Sequence, residues 1–329
     1  MTTQKKSGNL TIANIVSVVG TVLLLLFTFL GNSYLSGGEL GWDILISIGI
    51  TGFTVLLLCF LIKAKGAENN LTKWKIVEFA TLFVYIIFSL STSLLGGIMH
   101  FFVVNDHKDD IKEYAIQDLE KIDQMFNSYL EFESEAISIT GTGLKNATKK
   151  SQVCDETLNT FMDENGIAHS QSSAENYENV QRMELVGNGF EAYYDQFKEI
   201  KNEIQNVVNS WSAISIPSKA NLIDKLAKDA SAELTRLSTE AKLPVITQTS
   251  SGYYTKWTIE SYQRQEFEVD GGIESFQFKK ALQGATGFSS TALLIVLLIH
   301  TLVLFNYIAA YRTSSVNIKN LEEDGGRIL

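Results

Sequence analysis

The sequence contains very little proline and cysteine, and this limits the folds that it can adopt. Two prolines occur among 329 residues, and because proline interrupts helices and strands, their scarcity favours long helices. The two cysteines, Cys59 and Cys154, are too few for a disulfide framework and too isolated for a thiolate metal site. The formal net charge is −10, so the chain lacks the basic surface of a nucleic-acid-binding protein.

Catalytic motifs are also absent from the sequence. None of the four histidines has a second histidine or a cysteine at metal-ligand spacing. The sequence contains no P-loop, no dinucleotide-binding glycine pattern, no G-x-S-x-G and no H-E-x-x-H motif. We therefore expect no enzymatic activity, no cofactor and no bound metal.

Long apolar runs are the most prominent feature that the sequence does have. Four runs reach the roughly 20 residues that are needed to cross a bilayer. They are Ile12–Leu30, Ile44–Ile62, Val77–Val104 and Phe288–Tyr311. No cleavage site of the A-x-A type follows the first run, so we expect it to be a membrane span rather than a signal peptide. The sequence therefore predicts four transmembrane helices.

The distribution of lysine and arginine predicts the orientation of these helices. Nine basic residues lie before the first run, between the second and third runs, or after the fourth, and none lies between the first and second. Because short cytoplasmic loops are enriched in lysine and arginine, we expect both termini in the cytoplasm and segment 105–283 outside it. This segment of 179 residues has one cysteine, which is typical of a bacterial periplasm, so we expect the inner membrane.

Apolar residues of the outer segment recur at helical spacing. From Phe190 to Trp211 they alternate three and four residues apart over three heptads, as in a coiled coil. Two further stripes run from Ala115 to Tyr129 and from Ile223 to Ala241. Because an amphipathic helix cannot bury its stripe alone, the segment is predicted to form an antiparallel helical bundle, and the fold to be all-α.

These patterns predict three regions: a three-span membrane region (1–104), an outer helical domain (105–283), and a fourth span with a short tail (284–329). Gly141 and Gly143 predict a turn at the far end of the first outer helix, although a close helix approach is an alternative. No glycine or proline lies between Gly97 and Gly141, so the third span is expected to continue directly into the outer segment. The segment from Pro244 to Gly272 is predicted to be irregular, with a hairpin around Ser251 as the alternative.

Polar residues inside the apolar runs are the candidate functional residues, because such residues are costly in lipid. They are Glu78, His300 and Asn306, and we expect them to make hydrogen bonds between helices. Ser89, Ser93 and Gly97 form a row of small residues four apart, which allows another helix to approach closely. Either the internal packing of the protein or a contact in a homo-oligomer would use this row.

Three functions fit these observations. The first is a non-enzymatic membrane subunit whose periplasmic bundle docks protein partners in an envelope assembly. The second is a periplasmic ligand sensor, because the outer segment resembles chemoreceptor ligand domains in outline. The 18 residues after the fourth run leave no room for a signalling domain, so we expect such a sensor to signal through a partner. The third is a channel or transporter subunit, although no inverted repeat or pair of broken helices is evident.

Overall fold

The computed structural model describes residues 3–67, 71–149, 156–164, 176–177, 179, 189–240, 244–251, 254–261 and 265–310. In chain order its helices are α1 (Thr3–Ser36), α2 (Leu40–Lys65), α3 (Leu71–Leu94), α4 (Gly97–Asp106), α5 (Lys108–Lys149), α6 (Glu156–Glu164), α7 (Glu191–Ser210), α8 (Ile216–Glu240), α9 (Phe278–Gly284), α10 (Ser290–Val303) and α11 (Phe305–Ala309). The chain divides into two compact units. The first unit comprises residues 1–112, 211–221 and 278–329, and the second comprises residues 113–210 and 222–277.

The first unit contains three apolar segments that are long enough to cross a membrane. They are Ile12–Ser36, Leu40–Lys65 and Thr72–Asp106, with 25, 26 and 35 residues. Only 28–33% of their most apolar windows is buried within the protein, which is the exposure expected of helices that face lipid. The prediction of long apolar helices is therefore confirmed for the first three runs, which are long and apolar enough to cross a membrane. The fourth run forms the shorter helices α10 and α11, of 14 and 5 residues.

The third apolar segment is divided at Gly96, contrary to the expectation of one unbroken helix. Gly96 has φ −126° and ψ −144°, which are not helical values, and α3 therefore ends before α4 begins. After α4 the helical path is interrupted only at His107, whose backbone N–H still bonds to the Val103 carbonyl. The predicted helical path from Gly97 into the outer segment is thus nearly continuous. The break at Gly96, between α3 and α4, was not predicted.

The core of the first unit is formed by side chains from all of its long helices. Its fully packed cluster consists of Leu24, Leu57, Leu58, Leu61, Tyr85, Ile98, Val296, Ile299 and Val303. Residues 211–221, which the sequence placed in the outer domain, also belong to this unit. The Asn221 side-chain amide donates to the Gly37 carbonyl at 2.6 Å, so this segment is attached to the connection between α1 and α2.

The second unit is built around buried aromatic and aliphatic side chains of α5, α7 and α8. The predicted α5 stripe is fully buried: Ala115, Leu119, Ile122, Phe126 and Tyr129 are at most 2% exposed. On α7, Phe197 and Ile204 are buried, but Ile200 is only half-buried. Pro217 lies in the first turn of α8, where its fixed φ is compatible with a helix.

One lysine of the second unit makes a specific contact between two helices. Lys201, on α7, forms an ion pair with Asp123 of α5 at 2.5 Å, and both side chains are partly buried. Lys201 therefore links two helices of the bundle instead of lying free on its surface.

The all-α prediction is wrong in one place, because the second unit contains a β-hairpin. Strands β1 (Pro244–Ser251) and β2 (Tyr254–Ser261) are antiparallel and pair from Pro244 opposite Ser261 to Ser251 opposite Tyr254. The prediction of an irregular segment is therefore wrong for these strands, and the alternative of a hairpin is confirmed, although its two turn residues lie outside the described residues. The many β-branched and aromatic residues of the two strands explain the strand conformation.

The predicted turn at Gly141 and Gly143 is also wrong. The helix α5 runs without interruption through both glycines to Lys149, and both are buried. Glycine weakens a helix by about 1 kcal/mol relative to alanine but does not end it. The buried stripe on the same helix, which includes Ala136, Ile137 and Leu144, is sufficient to keep this end helical.

Candidate functional site

The polar residues within the apolar helices meet along the fourth apolar run. The His300 ring lies between two hydroxyl groups of α3. The Tyr85 hydroxyl is 3.0 Å from Nδ1, and the Ser93 hydroxyl is 2.9 Å from Nε2. Both ring nitrogens therefore have a hydroxyl partner. A neutral imidazole has one donor and one acceptor nitrogen, and a hydroxyl can serve either.

A second set of contacts, between residues of α2, α3 and α11, lies two helical turns away. The Tyr307 hydroxyl donates to Glu78 Oε1 at 2.7 Å, and the pairs Glu78/Tyr85 and His300/Tyr307 are each seven residues apart. The Lys65 ammonium donates to the Tyr307 carbonyl at 2.7 Å and lies 4.5 Å from the centre of its ring. Since seven residues make about two turns, the contacts repeat along one face of α3.

The helix α1 approaches the fourth run from another side. The Asn306 side-chain amide donates to Asn14 Oδ1 at 2.5 Å, and the Ser17 hydroxyl donates to the Val303 carbonyl. Gly20 allows this approach, because a Cβ there would lie 2.6 Å from the backbone nitrogen of Val303. We call the side chains of these three sets of contacts the polar seam; they are Asn14, Ser17, Lys65, Glu78, Tyr85, Ser93, His300, Asn306 and Tyr307.

The three intramembrane polar residues singled out from the sequence, Glu78, His300 and Asn306, all lie in the polar seam. Sequence reasoning missed Tyr85 and Tyr307, because tyrosine is unremarkable in an apolar run. The sequence signal that identifies them is a shared spacing: Tyr85 follows Glu78 by seven residues, and Tyr307 follows His300 by seven. Each tyrosine therefore lies on the same face of its helical segment as a polar residue and can meet the polar residue of the other segment.

The small-residue row of span three contacts two different helices. Ser93 bonds to His300, whereas Gly97 lies against α1. A Cβ on Gly31 of α1 would lie only 1.7 Å from the Gly97 carbonyl oxygen. Ser89 is buried at 4% exposure. The row therefore lies inside the first unit, where small side chains allow close packing.

The chemistry of the polar seam is that of hydrogen bonds between helices. Its donors and acceptors are paired with one another across α1, α2, α3 and the fourth run. Among the described residues, no group of three or more histidine, cysteine, aspartate or glutamate side chains has the arrangement of a metal site. Such interhelical bonds stabilise membrane bundles by about 0.6–2 kcal/mol each.

The second unit contains a buried carboxyl group that the sequence did not reveal. Glu133 is 4% exposed on α5, and neither of its oxygens has a hydrogen-bond partner of normal geometry. Burial raises the pKa of Glu133 to about 7, although the hydroxyl of Tyr129, one turn earlier, partly opposes this shift. The group therefore changes charge near neutral pH.

Replacing Glu133 with glutamine is expected to stabilise the second unit at alkaline pH. The pKa of Glu133 in the folded protein, about 7, lies above the ordinary value of 4.5. Stability is therefore lost as the pH rises from 4.5 to 7, and above 7 the loss is complete. Glu133→Gln removes this term, so it should gain roughly 3 kcal/mol at pH 8 and little near pH 4.5.

Hydrogen exchange of α5 peptides in the full-length protein measures this gain as a free energy of opening. Glu131→Gln is the matched control, because Glu131 is exposed on the same helix. An equal effect of both variants at pH 8 would show that Glu133 ionises in a solvated environment.

A groove of about 490 Å³ lies between α7 and α8. Its lining includes Tyr193, Phe197, Ile200, Leu226, Asp229 and Glu233. Burial, followed by the charges of Asp229 and Glu233, raises the pKa of Tyr193 to about 12. Arg236 donates two hydrogen bonds to the Glu233 carboxylate, whereas Asp229 is exposed. The groove thus combines aromatic rings with negative charge.

Comparisons of the chain with protein families, with curated proteins and with solved structures find no match. Its function is therefore inferred from the contacts of its own residues.

Proposed function

We propose that this protein is a non-enzymatic, four-span subunit of a bacterial inner membrane. Its periplasmic helical unit docks partner proteins in an envelope assembly, and both of its termini are cytoplasmic. The polar seam carries this proposal. Intramembrane polar groups that are paired between helices hold an anchor together, whereas a relay or a pore needs them to face a pathway.

Two observations support a fourth span. The helices α10 and α11 are joined through Leu304, which has helical φ and ψ of −76° and −5°. Residues 290–309 therefore form one nearly continuous helix of 20 residues, and at 1.5 Å per residue it is about 30 Å long, the thickness of a bilayer core. Its polar seam contacts with α1, α2 and α3 lie in its second half, between His300 and Tyr307, and they support its crossing the membrane beside those helices.

The proposed docking surface is a row of acidic residues on α7. Glu191, Asp195, Glu199 and Glu203 are four residues apart and all exposed; we call them the acidic ridge. Like charges at this spacing repel one another by about 0.2–0.5 kcal/mol per pair. Asp195 is paired with Lys198 at 3.3 Å, and Glu191 lies in the first turn of α7, where negative charge is favourable. A basic surface on a partner would neutralise the acidic ridge and would also favour rapid association.

The proposal is tested by crosslinking intact cells with a membrane-impermeant, amine-reactive reagent and then purifying the full-length chain. Because the short loops carry their basic residues on the cytoplasmic side, only lysines of segment 105–283 should be modified. Protein partners should be crosslinked to the same segment. A variant with Glu191, Glu199 and Glu203 changed to glutamine and Asp195 to asparagine is expected to lose most of this capture.

The matched control changes Glu131 and Glu135, two exposed acidic residues of α5, to glutamine, and it should retain capture. Modification of Lys63, Lys73 or Lys75 in intact cells would contradict the orientation. Modified outer lysines without any crosslinked protein would contradict docking.

A second candidate, a ligand sensor, is favoured by the groove between α7 and α8. Its volume of about 490 Å³ lies in the range of small-molecule sites, which is about 300–1,000 Å³. Aromatic rings beside carboxylates suit an organic cation. A sensor needs no protein partner in the periplasm. This candidate therefore predicts that the outer lysines are modified without any crosslinked protein, which is the result that would contradict docking.

A further inference from the structure

The turn between α7 and α8 belongs to the first unit, together with the apolar helices. The Asn221 amide bonds to the Gly37 carbonyl at 2.6 Å. A Cβ on Gly38 would lie 2.8 Å from the carbonyl carbon of Pro217, so the two backbones are in direct contact. The start of α8 is thereby fixed beside the connection between α1 and α2.

That connection lies where two apolar segments end. The segment in α1 ends at Ser36 and the segment in α2 begins at Leu40. Leu40 and Trp42 are 56% and 62% exposed, and tryptophan at the end of a span is typical of the headgroup region. The turn at residues 211–215 is therefore held at the level of the membrane surface.

The turn has the composition of a segment that enters lipid rather than water. No charged residue occurs between Glu203 and Lys219, although segment 105–283 as a whole is strongly acidic. Within the turn Ile214 is 69% exposed, and it has Trp211 and Ala213 as near neighbours in sequence. An exposed apolar tip that adjoins a membrane surface gains free energy by entering the interface.

Two backbone N–H groups at the end of the turn are already hydrogen-bonded, which lowers part of the cost of leaving water. The Ser215 and Ile216 N–H groups both donate to the Ser212 carbonyl, at 2.9 and 3.0 Å. The Ser212 hydroxyl donates to the Ser215 hydroxyl at 3.2 Å. Unpaired backbone groups are what exclude most loops from lipid, and these groups are paired.

We propose that the turn at residues 211–215 inserts into the membrane interface, with Ile214 at the boundary between lipid headgroups and acyl chains. The occupant of this surface is the lipid of the membrane that α1 and α2 cross. The inference rests on the proposed membrane placement of the first unit. It adds a point of lipid contact that is separate from the four spans.

The test uses the full-length chain with Cys59 and Cys154 replaced by alanine, in nanodiscs of phosphatidylcholine and phosphatidylglycerol. A single cysteine at position 214, 42 or 209 carries an environment-sensitive fluorophore. Lipids that carry a spin label near the headgroup quench a fluorophore that lies in the membrane interface, and iodide quenches a fluorophore that is exposed to water. The Ile214→Cys probe is expected to lose most of its emission to the spin-labelled lipid and little to iodide, as is the Trp42→Cys probe.

The Asn209→Cys probe is the reference for access from water, because Asn209 is exposed in the last turn of α7. The inference would be overturned if iodide quenched the probe at position 214 as strongly as the probe at position 209 while the spin-labelled lipid still quenched the probe at position 42. That result would leave the membrane placement of the first unit unaffected. Loss of lipid quenching at position 42 would instead contradict the membrane placement on which it rests.

Discussion

Gly31→Ala is expected to prevent the first unit from packing correctly. A Cβ at this position would lie 1.7 Å from the carbonyl oxygen and 2.1 Å from the carbonyl carbon of Gly97. Both are backbone atoms, so no side-chain rotation relieves the clash, and α1 and α4 must separate. The rings of Phe27 and Phe101, whose centres are 5.9 Å apart across the same helix pair, would lose contact as well.

The effect is measured as the midpoint of thermal denaturation and as the monodisperse fraction in mild detergent. Gly49→Ala is the matched control, because Gly49 is also within a long apolar helix but has no atom within 4 Å of an added Cβ. Alanine there should stabilise the helix slightly. Equal midpoints for the two variants would mean that α1 and α4 do not meet at Gly31.

Phe126→Ala is expected to destabilise the second unit by about 3–5 kcal/mol, the usual cost of removing a buried phenylalanine. Phe126 is fully buried, and its ring centre lies 4.6–6.2 Å from those of four aromatic residues of α7 and its start. Deleting the ring removes these contacts and leaves a cavity between α5 and α7.

Hydrogen exchange in the full-length protein should show the loss of protection in peptides of α5 and α7. Asn127→Ala, at the exposed neighbouring position, is expected to change stability by less than about 0.5 kcal/mol. Unchanged protection in Phe126→Ala would contradict a shared core between these two helices.

Apolar periodicity was sufficient to predict the long helices, but the glycines could not be interpreted from sequence alone. Gly96 ends a helix, whereas Gly141 and Gly143 lie inside one. The reason is that glycine permits a break without requiring it. Whether the break occurs depends on tertiary contacts, such as the approach of Gly97 to α1, which no local pattern contains.

Three residues of the polar seam, Glu78, His300 and Asn306, could be predicted individually, but their partners could not. His300 is conspicuous in an apolar run because of its cost in lipid. Its partners, Tyr85 and Ser93, are more than 200 residues away in sequence. They are determined by how α3 and α10 are rotated about their axes. The same limit applies to Lys201, whose pairing with Asp123 depends on the register between α7 and α5.

The polar seam also determines when the protein can be completed during synthesis. Ser93 and His300 are separated by 207 residues, so the ribosome makes the first three spans long before the helix that pairs with them. Until then Ser17 and Tyr85 lack the partners that they have in the folded protein, and burying a polar group without a partner is costly. A chain truncated before α10 would therefore lack every contact of the polar seam, and its first three apolar segments would have to pack without them.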